Sequence, residues 1–253
     1  MRIARVMTEH GPRFGVVEGS YIHLREGDPV EGLQPTAQSI PLEGAPLLAP
    51  VVPRKVVAIA RNYRAHAAEL GNAVPEAPLF FLKPGTSVIG PNRVILRPPG
   101  VGRIEHEAEL AVVIGKTAKG VSAEQALGHV LGYTALVDVT ARELQKSLGH
   151  FTQAKGYDTF CPIGPWLETE LDPRDLAITA RRNGTVVQAG RTTEMVHSIP
   201  ALISFVSKVM TLEPFDVIAT GTPKGVGPLE PSDRFEVEIE GIGVLVCSVA
   251  DAG

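Results

Sequence analysis

Apolar residues along this chain fall mostly into short runs, with a period of two or none, separated by turns rich in glycine and proline. Such runs predict strands; only a few stretches carry the helical spacing of about 3.6 residues. Arg2 to Met7, Gly15 to Glu18 and Tyr21 to Leu24 read as short strands with tight turns. Residues 34–53 hold Pro35, Pro41, Pro46, Pro50 and Pro53 and read as an extended connector. A boundary near residue 53 divides the chain into a small N-terminal β domain with its connector (1–53) and a denser unit (54–253). In the second unit Lys55 to Ala60 is a buried strand, and Tyr63 to Leu70 is a short helix that stops at Gly71. Strands are expected over Glu105 to Gly115 and Val130 to Val137. Ser122 to Gln125 and Thr140 to Glu143 have the form of helix capping boxes. Asn183-Gly184 between two alternating runs signals a hairpin. Ser198 to Met210 has helical spacing with Pro200 in the tolerated first turn. Strands at Phe215 to Ala219, Arg234 to Ile239 and Val244 to Val249 close the chain. The fold class is mixed, β-rich α+β.

Composition narrows the function classes. The chain has 253 residues, 44% of them hydrophobic, enough to bury a sizeable core. The formal net charge of −4 and the lack of a basic stripe give no reason to expect nucleic acid. No apolar stretch has the length of a membrane span, and the first residues lack a signal-peptide core. A cytoplasmic location is the default expectation. Cys161 and Cys247 form neither a disulfide framework nor a zinc spacing.

The segment Ile104 to Gly115 is the most informative. Strand side chains alternate, so Glu105, Glu107 and Glu109 share one face with Ala111 and Val113, and His106 faces the other way with Leu110 and Val112. Both faces become apolar toward the C-terminal end, which places the carboxylates at the rim of the core. Carboxylates converging to about 5 Å repel by about 3 kcal/mol at an effective dielectric near 20. A counter-charge is needed: a lysine or arginine, or a hard divalent cation, since all-oxygen sites select magnesium, calcium or manganese. A solvated edge strand would show the same alternation. What favours a metal is Asp138, which ends the apolar strand Val130 to Val137; a helix-capping aspartate would stand in the same place.

His66 and Glu69 lie three apart and share a helix face, a pairing that raises imidazole basicity and suits a general base as well as an ordinary ion pair. Lys155 and Asp158 occupy a glycine-containing loop, where a lysine near a metal could hold a carboxylate substrate. The stretch Thr220 to Gly227 is no Walker loop; it reads as a glycine-rich turn or a backbone nest. His10, His23, His129, His150 and His197 read as surface or packing residues, and Cys161 as packing.

In the stretches ARNYRAHAAE (60–69), FFLKP (80–84), HEAELAVVIGK (106–116), GYTALVDVTARELQ (132–145), AKGYDTFCPIGPW (154–166), residues 183–212 and IATGTPKGVG (218–227), in that order and spacing, the chain resembles the fumarylacetoacetate hydrolase family. Residues 1–50 resemble the small N-terminal domain of bacterial members more loosely. The resemblance implies a β-roll catalytic fold and a magnesium ion (Mg2+), with Mn2+ or Ca2+ as substitutes. Its metal ligands fall on Glu107, Glu109 and Asp138, its catalytic dyad on His66 and Glu69, and its substrate-orienting lysine on Lys155. Substrate contacts fall on Arg61, Tyr63, Arg142, Gln145 and Thr222. A homodimer, a small 2-oxo acid substrate and a mobile lid carrying the His–Glu segment are also implied. The short form resembles bacterial 2-hydroxyhepta-2,4-diene-1,7-dioate isomerases of aromatic catabolism. Acylpyruvate hydrolysis, oxaloacetate decarboxylation and a non-catalytic dimeric binding domain are the alternatives. Glu143 stands where aspartate is usual, Val137 where asparagine is frequent, and Pro214-Phe215-Asp216 lacks a common glycine; no ligand or dyad residue is lost.

Overall fold

The computed structural model describes residues Met1–Gly253. In chain order the strands and helices are β1 (Arg2–Thr8), β2 (Gly11–Glu18), β3 (Tyr21–Asp28), β4 (Gly32–Pro41), β5 (Lys55–Ala60), α1 (Arg64–Glu69), β6 (Leu79–Pro84), β7 (Val88–Ile89), β8 (Arg93–Arg97), β9 (Ile104–His106), β10 (Ala108–Ile114), α2 (Ala123–Ala126) and β11 (Val130–Val137). They continue with β12 (Thr140–Ala141), α3 (Arg142–Leu148), α4 (Thr152–Lys155), β13 (Cys161–Glu168), β14 (Ala177–Arg182), β15 (Thr185–Arg191), α5 (Ile199–Val209), β16 (Val217–Ala219), β17 (Gly227–Pro228), β18 (Arg234–Ile239) and β19 (Gly243–Asp251). The fold is strand-rich α+β.

One long sheet runs β4-β3-β2-β1-β13-β11-β10-β16-β5-β6, with β7 added on β13; a second runs β15-β14-β18-β19-β8; a small third is β12-β9-β17. Alternation along β10 explains how the layers meet. Leu110, Val112 and Ile114 enter a core shared with Ile178, Phe235, Val237 and Leu245 of the second sheet. Ala111 and Val113 point oppositely, into a core with Val56, Ala58, Leu136 and Ile163. A strand buried on both faces reads as a continuous apolar run, and this one does. Helix α5 closes the first core: Ile199, Leu202, Ile203 and Val206 recur at the spacing of one helix face and are buried. Full burial of each contributes about 2 kcal/mol. No helix is long and apolar enough to cross a membrane.

Several elements differ from the sequence reading. The connector begins later than expected, because residues 34–41 belong to β4, which pairs with β3 from Tyr21↔Pro41 to Asp28↔Gly32. β4 is the edge of its sheet, where a proline's missing N–H costs nothing. β6 and β8 had no clear alternation and were not expected. Residues from Cys161 onward, loop-like in sequence, form β13, between β1 and β11. Pro162 and Pro165 hide this strand in the sequence, and a register shift between Tyr133 and Ala135 accommodates it. Neither capping box forms: α2 and α3 begin after Ser122 and Ala141, and neither residue makes a side-chain cap bond. Thr140 lies in β12, with its hydroxyl donating to the Asp138 carbonyl. The hairpin is as expected, with Asn183 and Gly184 at positive φ of 53° and 80°.

Candidate active site

The expected acidic strand is two strands. It breaks at Glu107: β9 pairs with β12 and β17 in the small sheet, and β10 enters the long sheet. At the break the Glu107 carbonyl accepts the Asp138 N–H at 2.9 Å, which fastens the end of β11 beside it. The alternation survives the interruption. Carboxylate oxygens of Glu107, Glu109 and Asp138 lie within 4.8 Å of one another, all three residues buried. Glu105 is set apart from them; it accepts Arg142 Nε at 2.7 Å and Arg103 Nη2 at 2.7 Å.

Three cations face this group. Lys155 Nζ donates to Glu107 Oε2 at 2.8 Å and Asp138 Oδ2 at 2.6 Å. Lys83 Nζ donates to Asp138 Oδ1 at 2.5 Å and is fully buried. Arg142 Nη2 donates to Glu107 Oε1 at 2.6 Å. Burial alone would raise the Glu107 carboxyl, but Lys155 and Arg142 outweigh it and hold Glu107 well below the usual carboxylate range. Glu109 has no such partner. Burial, with the charges of Asp138 and Glu107 beside it, pushes its carboxyl well above the ordinary value, opposed by Lys155 and by the Gly221 N–H that donates at 2.7 Å. Burial pulls Lys155 down, yet Asp138 and Glu107 raise it on balance, so it stays an ammonium. With Glu105 and its partner Arg103 included, four buried carboxylates meet four cations, and none of the four cations bonds Glu109. A hard divalent cation on the three clustered oxygens would supply the charge Glu109 lacks. The donor set therefore fits magnesium, manganese or calcium.

These groups floor a cavity of about 280 Å³, the small end of ligand-sized pockets. Arg61, His66, Arg142, Gln145, Lys155 and Thr222 line it with the three carboxylates. Tyr63, expected as a substrate contact, does not: it is 1% exposed within the first core, and its hydroxyl has no hydrogen-bond partner. Arg142 is more tied down than a free substrate clamp, because Glu105, Glu107 and Gln145 occupy Nε, Nη2 and Nη1. Gln145 accepts Arg142 Nη1 through Oε1 at 2.6 Å, which leaves its amide hydrogens for a ligand. Lys155 is not in a loop but ends α4, over the ring of Phe81 at 5.2 Å; Asp158 takes no part.

His66 lines the cavity from α1. Its Nδ1 lies 3.3 Å from Glu69 Oε2, and Glu69 lies just behind, holding the Gly225 N–H at 2.9 Å. Gly225 has φ +102°, and a Cβ there would lie 2.3 Å from the Val187 carbonyl, so only glycine aims that N–H at Glu69. The root of α1 is fixed by Asn62. Its Nδ2 donates to the carbonyls of Thr220 at 2.8 Å and His197 at 3.1 Å, and its Oδ1 accepts the His197 N–H at 2.8 Å.

Three parts of the site were missed. Lys83 lies in the stretch FFLKP, and a lysine inside an apolar strand is itself a signal, because such a charge is buried only when paired. His106, opposite the carboxylates, packs against Phe235 with the rings tilted by 30° and their centroids 4.5 Å apart, and its Nδ1 donates to Gln188 Oε1 at 2.9 Å. Gln188 Nε2 donates in turn to Thr222 Oγ1 at 2.9 Å, which spends its own hydrogen on the Ala108 carbonyl. Thr222 therefore offers a ligand only an acceptor. His150, read as surface or packing, lines the cavity. No spacing in the sequence marks Gln188 or His150.

A family model described as fumarylacetoacetate (FAA) hydrolase C-terminal matches residues 55–250, and one described as Rv2993c-like, N-terminal matches residues 1–50. The human mitochondrial oxaloacetate tautomerase FAHD2A is 41% identical over 223 residues, covering 83% of this chain and 71% of that protein. The crystal structure of a 5-carboxymethyl-2-hydroxymuconate delta-isomerase from Mycobacterium smegmatis superposes with a TM-score of 0.94 at 42% identity, covering all of both chains. A 2-hydroxyhepta-2,4-diene-1,7-dioate isomerase from Mycobacterium marinum gives 0.93 at 42% identity, covering 100% of this chain and 99% of that one.

Proposed function

The chain belongs to the fumarylacetoacetate hydrolase family, and from that premise we propose that it is a magnesium-dependent isomerase of small 2-oxo and 2-hydroxydienoic diacids, of the 2-hydroxyhepta-2,4-diene-1,7-dioate type. The observation that carries the reading is one cavity that joins a carboxylate triad, in which no cation bonds Glu109, to a histidine backed by a glutamate. The names of the two superposed enzymes and of the human relative all denote isomerisation, which supports proton transfer over C–C cleavage.

Magnesium held by Glu107, Glu109 and Asp138 would supply Lewis-acid polarisation of the substrate's 2-oxo group. The protein's own groups do the rest. His66 Nε2 makes no hydrogen bond within the chain and takes the proton that moves between carbons. Glu69, on Nδ1, holds the tautomer and stabilises the imidazolium. Lys155 Nζ, held charged, offsets negative charge developing at the substrate oxygen. The Gln145 amide and Arg61 hold a substrate carboxylate. Ile59 and Phe81 on the wall keep bulk water from the reacting carbons.

EDTA treatment is expected to abolish turnover and magnesium to restore it, followed by ultraviolet absorbance with 2-hydroxyhepta-2,4-dienedioate, acetylpyruvate and oxaloacetate. Isomerisation of the dienedioate without release of pyruvate from acetylpyruvate supports the isomerase. Hydrolysis of acetylpyruvate or decarboxylation of oxaloacetate as the dominant reaction replaces it. Full activity after metal removal contradicts the scheme, and a Glu69→Ala variant equal to wild type would revive the non-catalytic binding domain. A homodimer, a cytoplasmic location and a place in aromatic catabolism belong to this reading.

A further inference from the structure

The basic groups at the floor of the cavity are paired, but others that line it are not. Of the basic groups lining it, Lys155 and Arg142 are bonded to carboxylates and His66 to Glu69. Arg61, Lys146 and His150 line the same cavity and enter no ion pair and no hydrogen bond. Two of these, Lys146 and His150, have no role in the chemistry above.

Their placement follows from helix geometry. Arg142 opens α3 with its guanidinium on Glu105 and Glu107, which turns that face of the helix toward the carboxylates. Residues three and four positions on share the face. Gln145 is one, bonded to Arg142; Lys146 is the other, about 6 Å further along the axis at the helical rise. Gly149 then ends the helix in the left-handed conformation at φ 70° and folds the chain back. His150 follows and is held there by its neighbour, because Phe151 stacks on Phe81 at 5.0 Å. Glu143, the acidic residue nearest Lys146 in sequence, lines a neighbouring groove with it but makes no ion pair with it; its carboxylate approaches Gly102 instead, 2.3 Å from where a Cβ would stand. Lys146 and His150 thus line the cavity with side chains that form no ion pair and no hydrogen bond, Lys146 about one helical turn along α3 from Arg142.

We propose that Lys146 and His150 form a subsite for a second, distal carboxylate, so that the cavity selects 2-oxo dicarboxylates over 2-oxo monocarboxylates of the same chain length. This rests on the reading above, in that the first carboxylate and the 2-oxo group must lie at the floor. Lys146 supplies the charge and His150 an N–H donor, while Arg61 stays with the first carboxylate.

The test uses two six-carbon probes that differ only at the far end: 2-oxoadipate, which ends in a carboxylate, and 2-oxohexanoate, which ends in a methyl group. Dissociation constants are measured by calorimetry on the full-length, magnesium-loaded protein. Wild type is expected to favour 2-oxoadipate by about 10-fold or more, as a charge-assisted contact allows. The ratio of the two constants should fall about fivefold or more in Lys146→Met and in His150→Leu, and be retained in Lys146→Arg. Melting temperatures of the variants verify folding, and because both probes are read on the same preparation, a general loss of binding cancels in the ratio. If wild type binds both probes alike, or the variants weaken both equally, the subsite is overturned while the proposed reaction stands. If neither probe binds the loaded protein, the proposed reaction falls, and the subsite with it.

Discussion

Glu109 is the residue whose environment is least satisfied. It is buried, its one hydrogen bond comes from a backbone N–H, and two carboxylates stand beside it. Its folded-state pKa is raised above the ordinary glutamate value of 4.5, so the unfolded chain ionises first as pH rises. The contribution of this group is therefore fully present below about pH 4.5 and is lost as pH climbs toward the folded value. In the metal-free protein, Glu109→Gln is expected to raise the melting temperature relative to wild type by several degrees more at about pH 8 than at about pH 5. The same variant should lose magnesium affinity, and wild-type affinity should increase with pH, since cation and proton compete for one oxygen. Equal melting shifts at both pH values, read by calorimetry, would remove this account of the site. Glu107, Glu109 and Asp138 could be read from the sequence because strand alternation is insensitive to the break at Glu107. Tyr63 was misplaced because position beside a dyad says nothing of which way a ring turns, and here it turns into the core.

At the scale of elements, the proposed general base, His66 with Glu69, depends on a glycine in another loop. The Gly225 N–H holds Glu69, and Val187 leaves no room for a side chain there. Gly225→Ala is expected to lower kcat by about 10- to 100-fold through misplacement of Glu69 and His66, with magnesium affinity within about twofold of wild type. Loss of both together, measured by steady-state kinetics and calorimetry, would mean that the loop supports the metal site instead. β5, β11, β18 and the hairpin were legible because their apolar patterns are long and bounded by turn residues. β13 was not, because its two prolines and Gly164 mimic a loop; its pairing is set by β1 and β11, which no local pattern reports. The expected caps failed for a related reason: Thr140 is taken up by a strand pair with Glu105.

For the whole molecule, the first fifty residues are attached by a sheet edge as well as by sequence. Arg2 and Ile3 pair with Glu168 and Leu167 of β13, and the Met1 ammonium reaches Glu168 at 2.7 Å. Deletion of residues 1–50 is expected to leave β13 with an open apolar edge and to produce oligomers or aggregate by light scattering. A monodisperse, active truncated protein would show that edge to be dispensable. Fold class was legible because short alternating runs and turn residues outnumber helical spacings. Sheet order was not, since it joins strands as distant as β1 and β13.

The Asn62 anchor has a consequence for motion. With that side chain bonded to two separate loops, and Gly221 the only residue type that fits beneath it, the strand leading to α1 cannot slide. Any displacement of His66 is then a swing about a pivot at residues 62–63, with an arm only as long as the helix. Such an arm has one stop to return to, which under the proposed reaction would aim the imidazole at the same point in the cavity in each cycle.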